Sequence, residues 1–283
     1  MLPLRDSQRR KRIPVITLGL IAANFVAFLF WQPTLRHEQD ADVAQQTFFW
    51  CHGQIPYELA HQVPLAESGP SGRLRIAQDY QVTPGQAGSL QTYLQHQCPD
   101  KNIWLSILSS MFLHAGWLHI LGNMLFLWIF GDNVEDALGK IGYLVFYLLG
   151  GVAAGALQFV IGPNSTIPNV GASGAIAAVL GAYIVLYPRA RILTGVFFFF
   201  ITVIELPAVV VLGLWFVLQL FQGFSGLAAD VNSGVAFFAH VGGFLFGVAV
   251  ALVFFRGRRR PSEPPGYSPP PGYPPLPDRP DVS

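Results

Sequence analysis

A serine and a histidine sit inside apolar segments of this 283-residue chain, where hydrophobic burial alone has no use for them. Ser173 opens an apolar run in Gly171-Ala172-Ser173-Gly174, and His240 lies near the start of the last one, in Ala239-His240-Val241-Gly242-Gly243. An ionisable side chain at bilayer depth is costly, so it marks a functional site with a partner to be named. The partner for His240 is Ser173. A serine hydroxyl is a weak nucleophile until a base within hydrogen-bond reach takes its proton. His240 is the one histidine in the last four apolar runs, so it is the base available there. No carboxylate adjoins it in sequence, since Asp230 falls in a connecting stretch and Glu205 near the opposite side. The expectation is a Ser-His dyad rather than a triad.

Acyl transfer also needs donors aimed at the developing oxyanion, each worth roughly 3 to 4 kcal/mol when removed. His119 and Asn123 are four residues apart, hence on one helix face, and supply a ring N–H and an amide N–H. Ser173 falls at a helix start, where free backbone N–H groups favour an anion. Gly171 and Gly174 would let a substrate backbone approach closely. Each residue has a plainer reading. A membrane serine bonds back to its own helix, and an intramembrane histidine or asparagine ties helices together. Convergence of four such residues at one depth favours chemistry.

The elements that must position them are membrane helices. Hydrophobic residues make up 52% of the chain and charged residues 12%, against about 25% charged in soluble domains, and mean hydropathy is +0.44. Six runs approach the roughly 20 residues a span requires, at 13–31, 117–131, 141–161, 171–187, 206–221 and 235–255. The fold class is therefore an all-α polytopic membrane protein with six transmembrane helices. Small residues recur every four positions at Ser173, Ala177 and Gly181, and at Ala239, Gly243, Gly247 and Ala251. Such stripes bring helix backbones close in lipid.

The organisation expected is a basic amino terminus (1–12), a first span (13–31), an outer loop (32–102), a core of five spans (103–255) and a tail (256–283) that is basic, then proline-rich. Basic clusters at 9–12 and 256–260 abut spans, which points to a membrane flank rather than nucleic acid. With both termini cytoplasmic, Lys140, Arg189 and Arg191 fall on the inner connections. Residues 103–115 read as an apolar interfacial segment, as do 192–204, and Glu205 as a cap at a helix entrance ahead of Pro207. Cys51 and Cys98 could form a disulfide in an oxidising compartment. The tail carries Pro-Pro-Gly-Tyr at 264–267 and 270–273, extended in character and a potential short-motif ligand. No ligand-spaced His or Cys cluster suggests a metal, and nothing suggests a cofactor.

With these residues in place, the chain resembles the rhomboid intramembrane serine proteases. The resemblance rests on 114–123 (His-Ala-Gly-Trp-Leu-His-Ile-Leu-Gly-Asn), 171–174 and 239–243, in that order on the second, fourth and sixth spans. It implies Ser173 as nucleophile, His240 as general base, and His119, Asn123 and the Ser173 N–H as the oxyanion hole. It further implies that His114 orders the loop before the second span, and that 206–221 and 222–234 serve as substrate gate and cap. The substrates implied are transmembrane proteins, cut near the outer ends of their helices; the two basic flanks fit a plasma membrane, most simply a bacterial one, with an organelle membrane as the alternative. The 32–102 loop lacks the Trp-Arg pair of some members. A non-catalytic membrane-protein scaffold would lack the serine or histidine, and a proton-relay transporter would show inverted repeats.

Overall fold

Continuous apolar runs, broken by glycine and proline, fold into a helical bundle, seen in a computed structural model that describes residues 2–8, 12–33, 41–62, 66–68, 74–76, 101–197, 201–229 and 236–255. Its helices are α1 (Val15–Val26, continued by a π-helical turn Ala27–Trp31), α2 (Ala41–His52), α3 (Pro56–His61), α4 (Ile103–Ser109), α5 (Trp117–Leu138), α6 (Lys140–Ile161), α7 (Ser173–Leu186), α8 (Ala208–Ala229) and α9 (Phe237–Phe254). Among the described residues, α6, α8 and α9 are long and apolar enough to cross a membrane. The pair α4 and α5, bent by 80° at residues 113–116, passes the same test as one broken span. Residues 103–115, expected in the interface, form α4, a 3-10 turn at 110–112 and the bend that leads into α5. The apolar segments α1 and α7 are shorter.

At 1.5 Å per residue, the 14 residues of α7 extend about 21 Å, less than the roughly 30 Å hydrocarbon thickness. Helix α7 is the buried axis of the bundle, with Ala175 to Tyr183 all inside, against α5, α6 and α9. Glycine makes this possible, because a Cβ at Gly181, Gly243 or Gly247 would fall on the carbonyl oxygens of Phe244, Gly174 and Ala178. On α7 the contact face is Gly174, Ala177, Ala178 and Gly181. The expected stripe shares Ala177 and Gly181 with it, while Ser173 turns out of the helix contact.

One end of the bundle gathers both ends of the chain's helical part. Glu135, 4% exposed, caps α1, accepting from the Ile16 N–H at 3.0 Å, the Thr17 N–H at 2.8 Å and the Thr17 hydroxyl at 2.8 Å. A carboxylate suits the positive end of a helix dipole. Beside it lies a three-stranded antiparallel sheet in the order β1-β4-β5, formed by β1 (Leu2–Asp6), β4 (Arg191–Phe197) and β5 (Ile201–Pro207). A separate hairpin pairs β2 (Ala66–Ser68) with β3 (Leu74–Ile76). The segment 192–204, expected at the interface ahead of the fifth span, supplies β4 and β5 before α8. Its Ile, Thr and Val side chains favour strands, and residues 2–6 supply the third strand, with Leu2 opposite Gly195 and Asp6 opposite Ile192. Glu205 pairs across β5 with Leu193 and is exposed, rather than capping a helix. The Asp6 carboxylate accepts from the Tyr183 hydroxyl at 2.6 Å and from Asn133 Nδ2 at 2.9 Å.

The other end is covered by α2, α3 and α4. Lys101 Nζ reaches Glu58 Oε2 at 2.5 Å and donates to the carbonyls of Trp50 at 2.6 Å and Gly53 at 3.0 Å. Cys51 is disulfide-bonded, and the chain's other cysteine, Cys98, lies outside the described residues. So do the basic clusters at 9–11 and 256–260, residues 230–234 of the connection before α9, and the proline-rich tail.

Candidate active site

Three helices deliver the polar residues to this second end. The break between α4 and α5 leaves the Ala115 N–H free to donate to His119 Nδ1 at 3.2 Å, so in the neutral ring the proton belongs on Nε2. That N–H faces Gly171, where an added Cβ would stand 2.9 Å from His119 Nε2 and 3.4 Å from Ser173 Oγ. Gly171 has φ +130, a conformation L side chains avoid, and its own N–H donates to the Ser110 carbonyl at 2.9 Å. Glycine is thus required for close approach of the His119 ring. Gly174 has another role than the expected one: a Cβ there would lie 2.6 Å from Ala154 Cβ, so its smallness serves helix packing rather than substrate access.

Ser173 is the first residue of α7, and the N–H groups of a first turn have no partner within their own helix. Its Oγ lies 2.7 Å from His240 Nε2. One turn into α5 beyond His119, Asn123 is 8% exposed, and its Nδ2 finds no hydrogen-bond partner among the described residues. Buried polar groups are nearly always paired, so this idle donor, one turn along α5 from His119, is open to an acceptor. A cavity of about 40 Å³ adjoins Ser173, lined by Gln54, Ser110, Gly155, Gly171 and Ala239 among others, with room for a few water molecules.

Of the sequence-derived residues, Ser173 and His240 are in contact, His119 faces Gly171, and Asn123 stands one turn further along α5 from His119. His114 lies behind them, fully buried, its ring edge-on to His119 with centroids 5.1 Å apart. Two glutamines were not anticipated. Gln32, at the end of the first span, grips the His114 backbone from both sides, accepting from its N–H at 2.9 Å and donating to its carbonyl at 2.8 Å. Gln219, on α8, places Oε1 2.8 Å from His240 Nδ1. A single amide within the apolar run 206–221 was the available signal for Gln219; Gln32 had none beyond its position.

The fold and the site define a class, a helical membrane bundle in which a serine at the first residue of the central helix meets a histidine from the last helix. Residues 101–257 match the rhomboid domain, and the chain belongs to the rhomboid family. It is an integral membrane protein. It is 37% identical over 89 residues to Rhomboid-like protein 11, chloroplastic, of Arabidopsis thaliana, covering 31% of this chain and 30% of the relative. To Rhomboid protein 1, mitochondrial, of Saccharomyces cerevisiae it is 33% identical over 112 residues, 38% of this chain and 32% of the relative. To Rhomboid protease GluP of Bacillus subtilis it is 33% identical over 150 residues, 52% of this chain and 25% of the relative. The chain thus spans a quarter to a third of the length of these relatives.

Proposed function

We propose that the protein is an intramembrane serine endopeptidase that cleaves transmembrane helices of other membrane proteins near their outer ends. The observation that carries this reading is the 2.7 Å contact of Ser173 Oγ with His240 Nε2, at the first residue of α7. In the reaction, Ser173 Oγ attacks the scissile carbonyl carbon while His240 Nε2 takes the hydroxyl proton. The carbonyl oxygen becomes an oxyanion facing Asn123 Nδ2, His119 Nε2–H and the Ser173 N–H. Collapse breaks the C–N bond, and His240 gives its proton to the departing amine. Water then attacks the acyl ester with His240 as base, releasing the new carboxyl terminus and restoring Ser173.

Water must reach this depth, and the cavity beside Ser173 is the place proposed to hold it. An intact substrate helix locks its carbonyls in hydrogen bonds, so substrates should carry helix-weakening residues near the cut. Residues 103–255 form the proposed catalytic core, with span 13–31 packed against it. Arg12, Lys140, Arg189 and Arg191 share the sheet end of the bundle, which we place in the cytoplasm of a bacterial cell, leaving Ser173 toward the outer face. The test is cleavage of a fluorogenic transmembrane peptide by the purified protein in detergent. The parent should cut, and folded Ser173→Ala and His240→Ala proteins should not. A silent parent, or cutting by Ser173→Ala, overturns the reading in favour of substrate binding without hydrolysis.

A further inference from the structure

His240 is held on three sides. Its Nε2 meets Ser173 Oγ at 2.7 Å, its ring packs on Trp215 with centroids 6.0 Å apart and planes inclined by 36°, and its Nδ1 stands 2.8 Å from Gln219 Oε1. Trp215 and Gln219 are four residues apart on α8 and share a face. Gln219 is 9% exposed, flanked along its helix by Phe216, Val217, Leu218, Leu220 and Phe221. A primary amide is costly to bury in such a span unless it is bonded. The bond it makes is to the edge of the imidazole that the serine does not use.

That bond has a chemical consequence. An amide oxygen only accepts, so Nδ1 carries the proton and Nε2 keeps the lone pair. This is the tautomer in which Nε2 can receive the Ser173 proton; in the other, His240 would present N–H to the hydroxyl and could not act as base. When Nε2 takes the proton, the ring becomes a cation and its Nδ1–H···O bond becomes charge-assisted. A neutral amide does this without placing a carboxylate in the bilayer, where a second charge would need its own partner. Papain-like proteases orient their histidine with an amide in the same way.

We propose that Gln219 is a positioning residue for the Ser173–His240 pair, its side-chain oxygen holding His240 Nδ1–H and so fixing the tautomer and angle of the base. The proposal rests on the protease reading above and extends the expected dyad by a third, neutral member contributed by α8.

The competing role is helix glue between α8 and α9, and a pH profile separates the two. The groups facing His240 are Ser173 from α7, His119 from α5, which is the other titratable group acting on it, and the neutral Trp215 and Gln219 from α8. The experiment measures kcat and KM for the transmembrane peptide over about pH 5 to 9 with the full-length parent, Gln219→Ala, Gln219→Leu and Gln219→Glu, each with its Tm. Gln219→Ala and Gln219→Leu should lose about tenfold in kcat at unchanged KM, as for one hydrogen bond to a group that becomes charged. Gln219→Glu should retain more activity and move the rising limb of the profile upward by roughly one pH unit, because a carboxylate beside Nδ1 favours the imidazolium. If Gln219→Ala and Gln219→Leu stay within about twofold of the parent, or lose activity only in step with Tm while Gln219→Glu leaves the limb in place, Gln219 is glue and the proposal falls. An inactive parent, or an active Ser173→Ala, removes the protease reading itself and the proposal with it.

Discussion

Removing Asn123 gives the sharpest test of the oxyanion assignment, because the structure sets activity and stability against each other there. In the resting protein Asn123 Nδ2 is buried and finds no partner among the described residues, which costs about 1–3 kcal/mol of stability. In the transition state the same N–H would meet the oxyanion, and losing one such donor typically costs about 2.7–4 kcal/mol, or 10² to 10³ in kcat. Two other donors would remain, His119 Nε2–H and the Ser173 N–H, so the lower end, roughly 100-fold, is the expectation for Asn123→Ala. KM should change little, since the interaction forms only as charge develops. Tm should hold, because relief of the idle donor offsets the lost apolar contacts of Cβ and beyond. The assay is kcat and KM on the transmembrane peptide beside a thermal melt in the same detergent. A kcat within about threefold of the parent would refute the assignment, and so would a large fall in Tm accounting for the whole loss.

Other consequences follow from single contacts. Gly171→Ala forces an alanine into φ +130 with its Cβ 2.9 Å from His119 Nε2; strain of about 1–3 kcal/mol should appear in Tm, with a loss of activity larger than that of Gly122→Ala, where an added Cβ meets nothing within 4 Å. Burial, opposed by the Tyr183 hydroxyl and reinforced by Asp132, pushes the Asp6 carboxyl from an ordinary 3.8 up to about 7. A raised carboxyl stabilises the folded form fully below about pH 4 and ceases to as pH rises through 7, so backbone amides of 2–6 should lose hydrogen-exchange protection above neutrality, and Asp6→Asn should abolish that dependence. Lys101→Met leaves Glu58, 1% exposed, without its cation, which costs about 3–5 kcal/mol; limited proteolysis should then nick the α2–α3 region while α5 to α9 stay intact.

The spans were legible because lipid imposes one rule, a long apolar run with its backbone bonds satisfied inside the helix. Observed helices begin and end within two residues of the expected runs except at the C-terminal ends of α5 and α8. Helix α5 runs on to Leu138 because its last turns exchange lipid for the N-terminal segment, through Asn133 and Glu135. The sheet was not legible for a complementary reason. Residues 192–204 carry the right β-branched side chains, but strand formation needed β1, some 190 residues earlier in sequence, and an apolar stretch beside a span looks alike whether it lies flat on lipid or pairs with strands. At the site, Ser173, His240, His119 and Asn123 were readable because each is a polar residue with no apolar excuse. Gln219 met the same description and was passed over, because an amide carries no titratable proton and reads as interhelical glue until its partner is seen.

The residues around His240 also divide its support unequally. Helices α7 and α9 meet backbone to backbone through Gly174, Gly181, Gly243 and Gly247, a contact with no side chains to flex, and this fixes the Ser173–His240 separation. Helix α8 is the least buried of the three long spans and touches the site through side chains, Trp215 and Gln219. On the protease reading proposed above, with 206–221 as the gate that the family resemblance implies, a substrate helix would enter by displacing α8, which is the least packed of these spans. The serine and its base would keep their spacing while the third support loosens. On this argument a Gly247→Val protein, which drives a side chain into the Ala178 carbonyl, should lose activity by separating the pair, whereas crowding on the lipid face of α8, at Val217 or Leu218, should leave kcat intact.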